Sequence, residues 1–121
     1  MVKTISREDL KRKIDNCEKF VLLDIRSENA YCKRHIKGAI SLNIRKIWRA
    51  EQEFEKEEEI IVYCASFSCV KSLRAASMLE EMGFKNVTDY EGGLREWISA
   101  EYPIEKCENL ASTDYLWDLY D

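Results

Sequence analysis

Residues 60–83 read IIVYCASFSCVKSLRAASMLEEMG, and this stretch decides the fold. Ile60, Ile61, Val62 and Tyr63 run without a polar break straight into Cys64. Small and hydroxyl-bearing residues follow. From Ser72 the periodicity turns helical, with Leu73, Ala76, Leu79 and Met82 as the inward face. The pattern predicts a buried strand that hands a cysteine to the N-terminus of a helix. That end of a helix carries unpaired N–H groups and a partial positive charge, which favours a thiolate over a thiol. Cys64 is therefore the candidate nucleophile. Gly83 is placed to close the helix in the left-handed conformation, with Phe84 folding back on Leu79.

Upstream, Phe20-Val21-Leu22-Leu23 is a second unbroken apolar run, and it ends in Asp24-Ile25-Arg26. Continuous apolar strands imply a sheet covered on both faces, hence parallel and α/β. Thr4-Ile5 and residues 39–42 read as further strands, and residues 87–90 as the last one. Ser6 is the expected cap of a first helix, with Asp9 as a capping-box partner. Residues 28–33 read as a helical turn, Ile44, Ile47, Trp48 and Phe54 as a loose helix face, and Gly92-Gly93 as a turn. Leu94, Trp97 and Ile98 form one side of a short helix. The alternation predicts one three-layer α/β/α domain. Ligands of open parallel sheets gather beyond the carboxyl ends of the strands. Asp24, Arg26 and the Cys64 loop are therefore expected at one edge of the molecule.

The 121 residues, 45% of them apolar, suit one domain with a real core. A net charge of −4, from 19 basic and 23 acidic residues, leaves no electrostatic footprint for nucleic acid or an anionic membrane. No apolar run approaches the roughly 18 residues of a membrane span, and the polar opening is not read as a signal peptide. Five cysteines at irregular spacing fit free thiols in a reducing cytosol, so a cytoplasmic location is expected. Cys17, Cys32 and Cys107 are scattered and His35 reads as a packing residue, so no metal site is expected. In residues 51–59 every position except Gln52, Phe54 and Lys56 is glutamate, which reads as a solvated helix end and loop.

Three motifs in this order resemble the rhodanese-like domain of the sulfurtransferase superfamily. The first is Leu22-Leu23-Asp24-Ile25-Arg26 with Tyr31 and His35-Ile36-Lys37-Gly38-Ala39. The second is Val62-Tyr63-Cys64 followed by Ser72-Leu73-Arg74-Ala75-Ala76, and the third Gly83-Phe84-Lys85-Asn86-Val87 with Glu91-Gly92-Gly93 and Trp97. The likeness covers about residues 4–104. It implies a five-stranded parallel sheet flanked by helices, and a cysteine that carries sulfane sulfur as a persulfide with no cofactor. The chain also departs from the family's loop. Ser72 lies eight residues after Cys64 where the family has a serine within six, no glycine intervenes, and Cys69 is a second thiol. Related cell-cycle phosphatases carry arginine six residues after the cysteine. That position is Val70 here, so no bidentate arginine clamp for phosphate is available from the loop.

Sulfur transfer needs a thiolate, a cradle for a terminal sulfur anion, and a nearby cation. Cys64 is assigned the first role. The backbone of Ala65, Ser66, Phe67, Ser68, Cys69 and Val70, with the Ser66 and Ser68 hydroxyls, is assigned the second. Lys71 and Arg74 are candidates for the third. Asp24, Arg26 and Ser72 are read as supports, because a carboxylate beside a thiolate raises the thiol's pKa. Cys69 is either a resolving thiol or a loop residue that packs inward. The expected partners are a small donor such as thiosulfate or a persulfide, and a thiol or cyanide acceptor. Two alternatives stand beside this enzyme: a thiol–disulfide redox or oxidant-sensing protein using Cys64 and Cys69, and a non-catalytic binding module. Residues 105–121 are read as an acidic extension in which Leu110, Leu116, Trp117, Leu119 and Tyr120 face one side of a short helix. Packing on its own domain, or docking to a second copy or a partner protein, are its two expected uses.

Overall fold

The computed structural model describes residues 2–107. The helix expected from Leu110 to Tyr120 lies outside them. Five strands form one parallel sheet: β1 (Lys3–Thr4), β2 (Val21–Asp24), β4 (Ile40–Ser41), β5 (Glu59–Tyr63) and β6 (Asn86–Tyr90). Their order across the sheet is β1-β6-β5-β2-β4. Two further strands, β3 (His35–Ile36) and β7 (Ile104–Glu105), make a separate antiparallel pair. The predicted five-stranded α/β architecture is the one observed.

The apolar runs are strands because both faces of the sheet are covered. Along β5 the side chains alternate: Ile60, Val62 and then Cys64 face one core, Ile61 and Tyr63 the other. The first core is covered by α4 (Lys71–Glu81) through Ala75, Ala76 and Leu79, together with Ile47 and Ala50. Ile47 lies in a 3₁₀ helix (Ile44–Arg49), and Ala50 opens α3 (Ala50–Glu53). The second core is covered by Leu10 of α1 (Arg7–Asp15) and by Leu94 and Trp97 of α5 (Gly93–Ser99). Ser6 caps α1 by accepting from the Asp9 N–H at 3.1 Å. The Asp9 carboxylate, expected to reach back to the cap, instead pairs with Arg12 at 2.5 Å. The end of α4 closes as predicted. Gly83 has φ +101°, and the Phe84 N–H donates to the Leu79 carbonyl at 3.1 Å.

Several local expectations need correction. Helix α4 begins at Lys71, one residue before Ser72, and its inward face is Ser72, Ala75, Ala76 and Leu79. Leu73 is half exposed, because small alanines let α4 lie close over the sheet and turn the larger side chain outward. Trp48 is likewise exposed, since the 3₁₀ helix puts Ile47 inward in its place. The strand expected over residues 39–42 shortens to Ile40–Ser41.

The expectation of free thiols is also overturned. Cys32 pairs with Cys107 and Cys64 with Cys69, leaving Cys17 as the free cysteine among the described residues. The first pairing joins residues far apart in sequence because β7 returns the chain to β3. His35 then lies opposite Glu105, and the Cys107 N–H donates to the Cys32 carbonyl at 2.8 Å. Cys32 sits near the end of α2 (Glu28–Lys33), so the clasp joins that helix to the segment after β7.

Candidate functional site

The chain winds outward in opposite directions from the β2–β5 pair, to β4 on one side and to β6 on the other. The crevice beyond their carboxyl ends is thus a topological switch point, where parallel sheets bind ligands. Asp24 and Tyr63 are partners in register, so Asp24 and Cys64 emerge at the same edge, as the sequence reading required. Cys64 is nearly covered, at 4% exposure, and Cys69 is partly exposed.

The loop from Cys64 to Val70 is held from outside. The Leu94 N–H donates to the Cys64 carbonyl at 3.0 Å, and the Arg95 N–H to the Ala65 carbonyl at 2.8 Å. This close approach depends on Gly93, which has φ +68°. A Cβ there would sit 2.7 Å from the Cys64 oxygen and the Ser66 nitrogen. Within the loop the Cys69 N–H donates to the Ser66 carbonyl at 3.0 Å, and the Ser66 and Ser68 hydroxyls lie 2.9 Å apart. Among the described residues, no backbone carbonyl takes up the N–H groups of Ser66, Phe67 or Ser68. Phe67, Val70 and Leu73 give the loop an exposed apolar rim.

Asp24 is fully buried and points its carboxylate away from the thiol pair into a network. Arg26 meets it in a fork, with Nη2 at 2.7 Å from Oδ2 and Nε at 3.0 Å from Oδ1. The Arg26 N–H also donates to Oδ1 at 3.0 Å. Tyr63 donates its hydroxyl to Asp24 Oδ2 at 2.8 Å and accepts from the Ile36 N–H at 3.0 Å. Burial, and then the Asp24 charge, push the Tyr63 pKa well above the usual phenol range, so it stays a neutral donor. Arg26 reaches on to the Arg34 carbonyl at 2.8 Å, tying the end of α2 to the same network. His35 stacks on Tyr31 with ring centres 3.8 Å apart, and its Nδ1 lies 2.7 Å from the Tyr31 carbonyl.

Ser72 is buried in the first turn of α4, beside Asp89 of β6. Asp89 is itself buried, and its Oδ1 has no hydrogen-bond partner among the described residues. Burial raises its pKa above the ordinary carboxylate value, against the hydrogen bond from Ser72. Beside the loop runs a groove of about 490 Å³ between the ends of β2 and β4 and the start of α4. Arg26, Arg45, Lys71 and Arg74 line it, and no carboxylate among the described residues does. Lys71 and Arg74 were read from the sequence. Arg45, Tyr63 and Gly93 were not, although the Gly92-Gly93 pair after a strand was a visible signal.

Fold and site together define an α/β domain whose central strand delivers a cysteine loop to the switch point of a parallel sheet. The family model for the rhodanese-like domain matches residues 6–100, and the chain belongs to that family. It is 35% identical over 85 residues to the thiosulfate sulfurtransferase GlpE of Haemophilus influenzae, covering 70% of this chain and 79% of that protein. It is 32% identical over 93 residues to the putative sulfur carrier protein YrkF of Bacillus subtilis, covering 77% of this chain but only 49% of that longer protein. Among solved structures, the rhodanese-like domain of the Anabaena sp. Alr3790 protein superposes with a TM-score of 0.80 at 30% identity. That match covers 93% of this chain and 86% of the other.

Proposed function

We propose that this chain is a rhodanese-type sulfurtransferase that carries sulfane sulfur as a persulfide on Cys64. The observation that carries the reading is the position of Cys64, nearly buried at the end of the central strand and followed by a loop in which the N–H groups of Ser66, Phe67 and Ser68 meet no backbone carbonyl among the described residues. The relatives named for thiosulfate sulfurtransfer support the same chemistry. The reduced Cys64 thiolate attacks the outer sulfur of a donor such as thiosulfate, the sulfur–sulfur bond breaks, and sulfite leaves with the electron pair. The resulting persulfide anion is cradled by the N–H groups of Ser66, Phe67 and Ser68 and by the Ser66 and Ser68 hydroxyls. Lys71 and Arg74 draw the anionic donor into the groove. A thiol or cyanide then takes the outer sulfur and returns Cys64 as thiolate. Asp24, Arg26 and Ser72 hold the edge in shape and touch no reacting atom. The cycle suits the cytoplasm, where dithiols keep Cys64 reduced.

The test is cyanide treatment of reduced protein loaded with thiosulfate. Wild type is expected to release thiocyanate and Cys64→Ser none. Equal release from both, or none from wild type, would remove the assignment. A second reading, thiol–disulfide exchange without sulfur transfer, draws on the Cys64–Cys69 bond. It predicts disulfide formation with no uptake of sulfur.

A further inference from the structure

The disulfide and the persulfide reading meet at one atom, the Cys64 sulfur. Resting on that reading, we infer that Cys69 resolves the Cys64 persulfide and releases hydrosulfide, making the chain a sulfide-generating enzyme. Cys69 reaches the Cys64 sulfur within one loop: the two are bonded, with Cα atoms 6.4 Å apart. Backbone hydrogen bonds hold the same approach beside the bond. The Ser66 carbonyl turns Cys69 inward, and Leu94 and Arg95 hold the carbonyls of Cys64 and Ala65. Cys69 lies before the first turn of α4, so no helical geometry holds it away.

A persulfide is a disulfide with hydrosulfide as one half, and thiolates attack disulfides at sulfur. The Cys69 thiolate attacks the inner sulfur, Sγ of Cys64. The Cys64–Cys69 bond forms, the bond to the outer sulfur breaks, and that sulfur leaves with the electron pair as hydrosulfide, carrying the proton that the Cys69 thiol gave up on becoming a thiolate. Hydrogen sulfide is more acidic than a cysteine thiol, so this departure is favoured over expulsion of Cys64. The sulfane sulfur gains two electrons and the two cysteines lose them. An external dithiol then reduces the disulfide and becomes a disulfide itself. Summed over the cycle, thiosulfate and a dithiol give sulfite, hydrosulfide, the oxidised dithiol and a proton. The exposures fit this division of labour. In the disulfide the Cys64 half is nearly covered, and Cys69 is the half that a reductant can reach.

The experiment is a single turnover without external thiol, in a Cys17→Ser background that removes the exposed free cysteine. The protein is reduced, desalted and mixed with one equivalent of thiosulfate. Sulfide is then assayed, and the loop peptide is weighed by mass spectrometry. The parent is expected to release about one sulfide per chain and to yield the Cys64–Cys69 disulfide. Cys69→Ser, with Cys69→Ala as a second variant, is expected to release none and to hold one extra sulfur on Cys64 that cyanide removes. A parent that keeps its persulfide without releasing sulfide, or that carries the extra sulfur on Cys69, overturns the inference and leaves the sulfurtransferase reading standing. Failure of parent and variants alike to take up sulfur overturns both.

Discussion

Asp89 illustrates how one side chain sets a pH dependence. It is buried beneath α4 with one oxygen unpartnered among the described residues, and burial raises its pKa. A raised pKa in the folded state means that folding favours the protonated acid. That contribution is complete below the ordinary carboxylate value and is lost as pH climbs through the raised one. Above that range the carboxyl therefore works against folding relative to an uncharged side chain of the same shape. Asp89→Asn is expected to stabilise the protein by about 1 kcal/mol at neutral pH, and the gain should shrink to nothing in acid. Thermal melts across that range decide it; a gain that persisted unchanged at low pH would contradict the argument. Gly93 is a second residue whose importance is geometric. Ala there adds a Cβ 2.7 Å from loop backbone and holds a left-handed φ, an expected loss of about 1–3 kcal/mol. Sulfur uptake at Cys64 should fall with it, and uptake at the wild-type rate would show that the loop does not need its anchor. Cys64, Asp24 and Arg26 were legible because polar residues ending apolar runs stand out. Tyr63 was not, because its hydroxyl sits at the end of a side chain that otherwise reads as core. The role of Gly93 depends on which loop packs against it, and sequence neighbours do not carry that information.

At the scale of elements, the legible parts are those with a period. The runs before Asp24 and Cys64 declare β2 and β5, and the spacing after Ser72 declares α4. The helical period puts Leu73 on the inward face, whereas packing close over β5 and β6 selects Ala75 and Ala76. The two-residue strands β3 and β7 have no period to read. They form because Trp97 Nε1 donates to the Pro103 carbonyl at 2.9 Å and the Gly38 N–H to Glu105 at 3.0 Å, both across long sequence separations or turns. The Cys32–Cys107 bond then closes a separation of 75 residues. Closing so long a segment removes much unfolded-state freedom, worth roughly 2–4 kcal/mol. Cys107→Ser is expected to lose that much in melts of the oxidised protein, and to match wild type once both are treated with a dithiol. A difference that survived reduction would mean that Cys107 acts through packing and not through the bond.

Across the whole molecule, the modest net charge of −4 hides a segregation. Glu55, Glu57, Glu58 and Glu59 line a groove at the amino end of β5, while Arg45, Lys71 and Arg74 line the one beyond its carboxyl end. Five strand residues separate the two, about 17 Å. An anion approaching the acidic end is repelled, and one approaching the cysteine loop is drawn in. At ordinary ionic strength the Debye length is about 8–10 Å, shorter than the strand, so the acidic end is largely screened from the site. The basic groove therefore governs capture of an anionic donor such as thiosulfate. Lys71→Gln and Arg74→Gln are each expected to raise KM for thiosulfate several-fold, with a smaller change in kcat, because the cations attract the donor before its sulfur–sulfur bond breaks. Removing a groove cation should also flatten the dependence of kcat/KM on added salt. Steady-state kinetics in a salt series reads both effects at once. Variants that lowered kcat while leaving KM and the salt slope unchanged would move these side chains from capture of the donor to the transfer step itself.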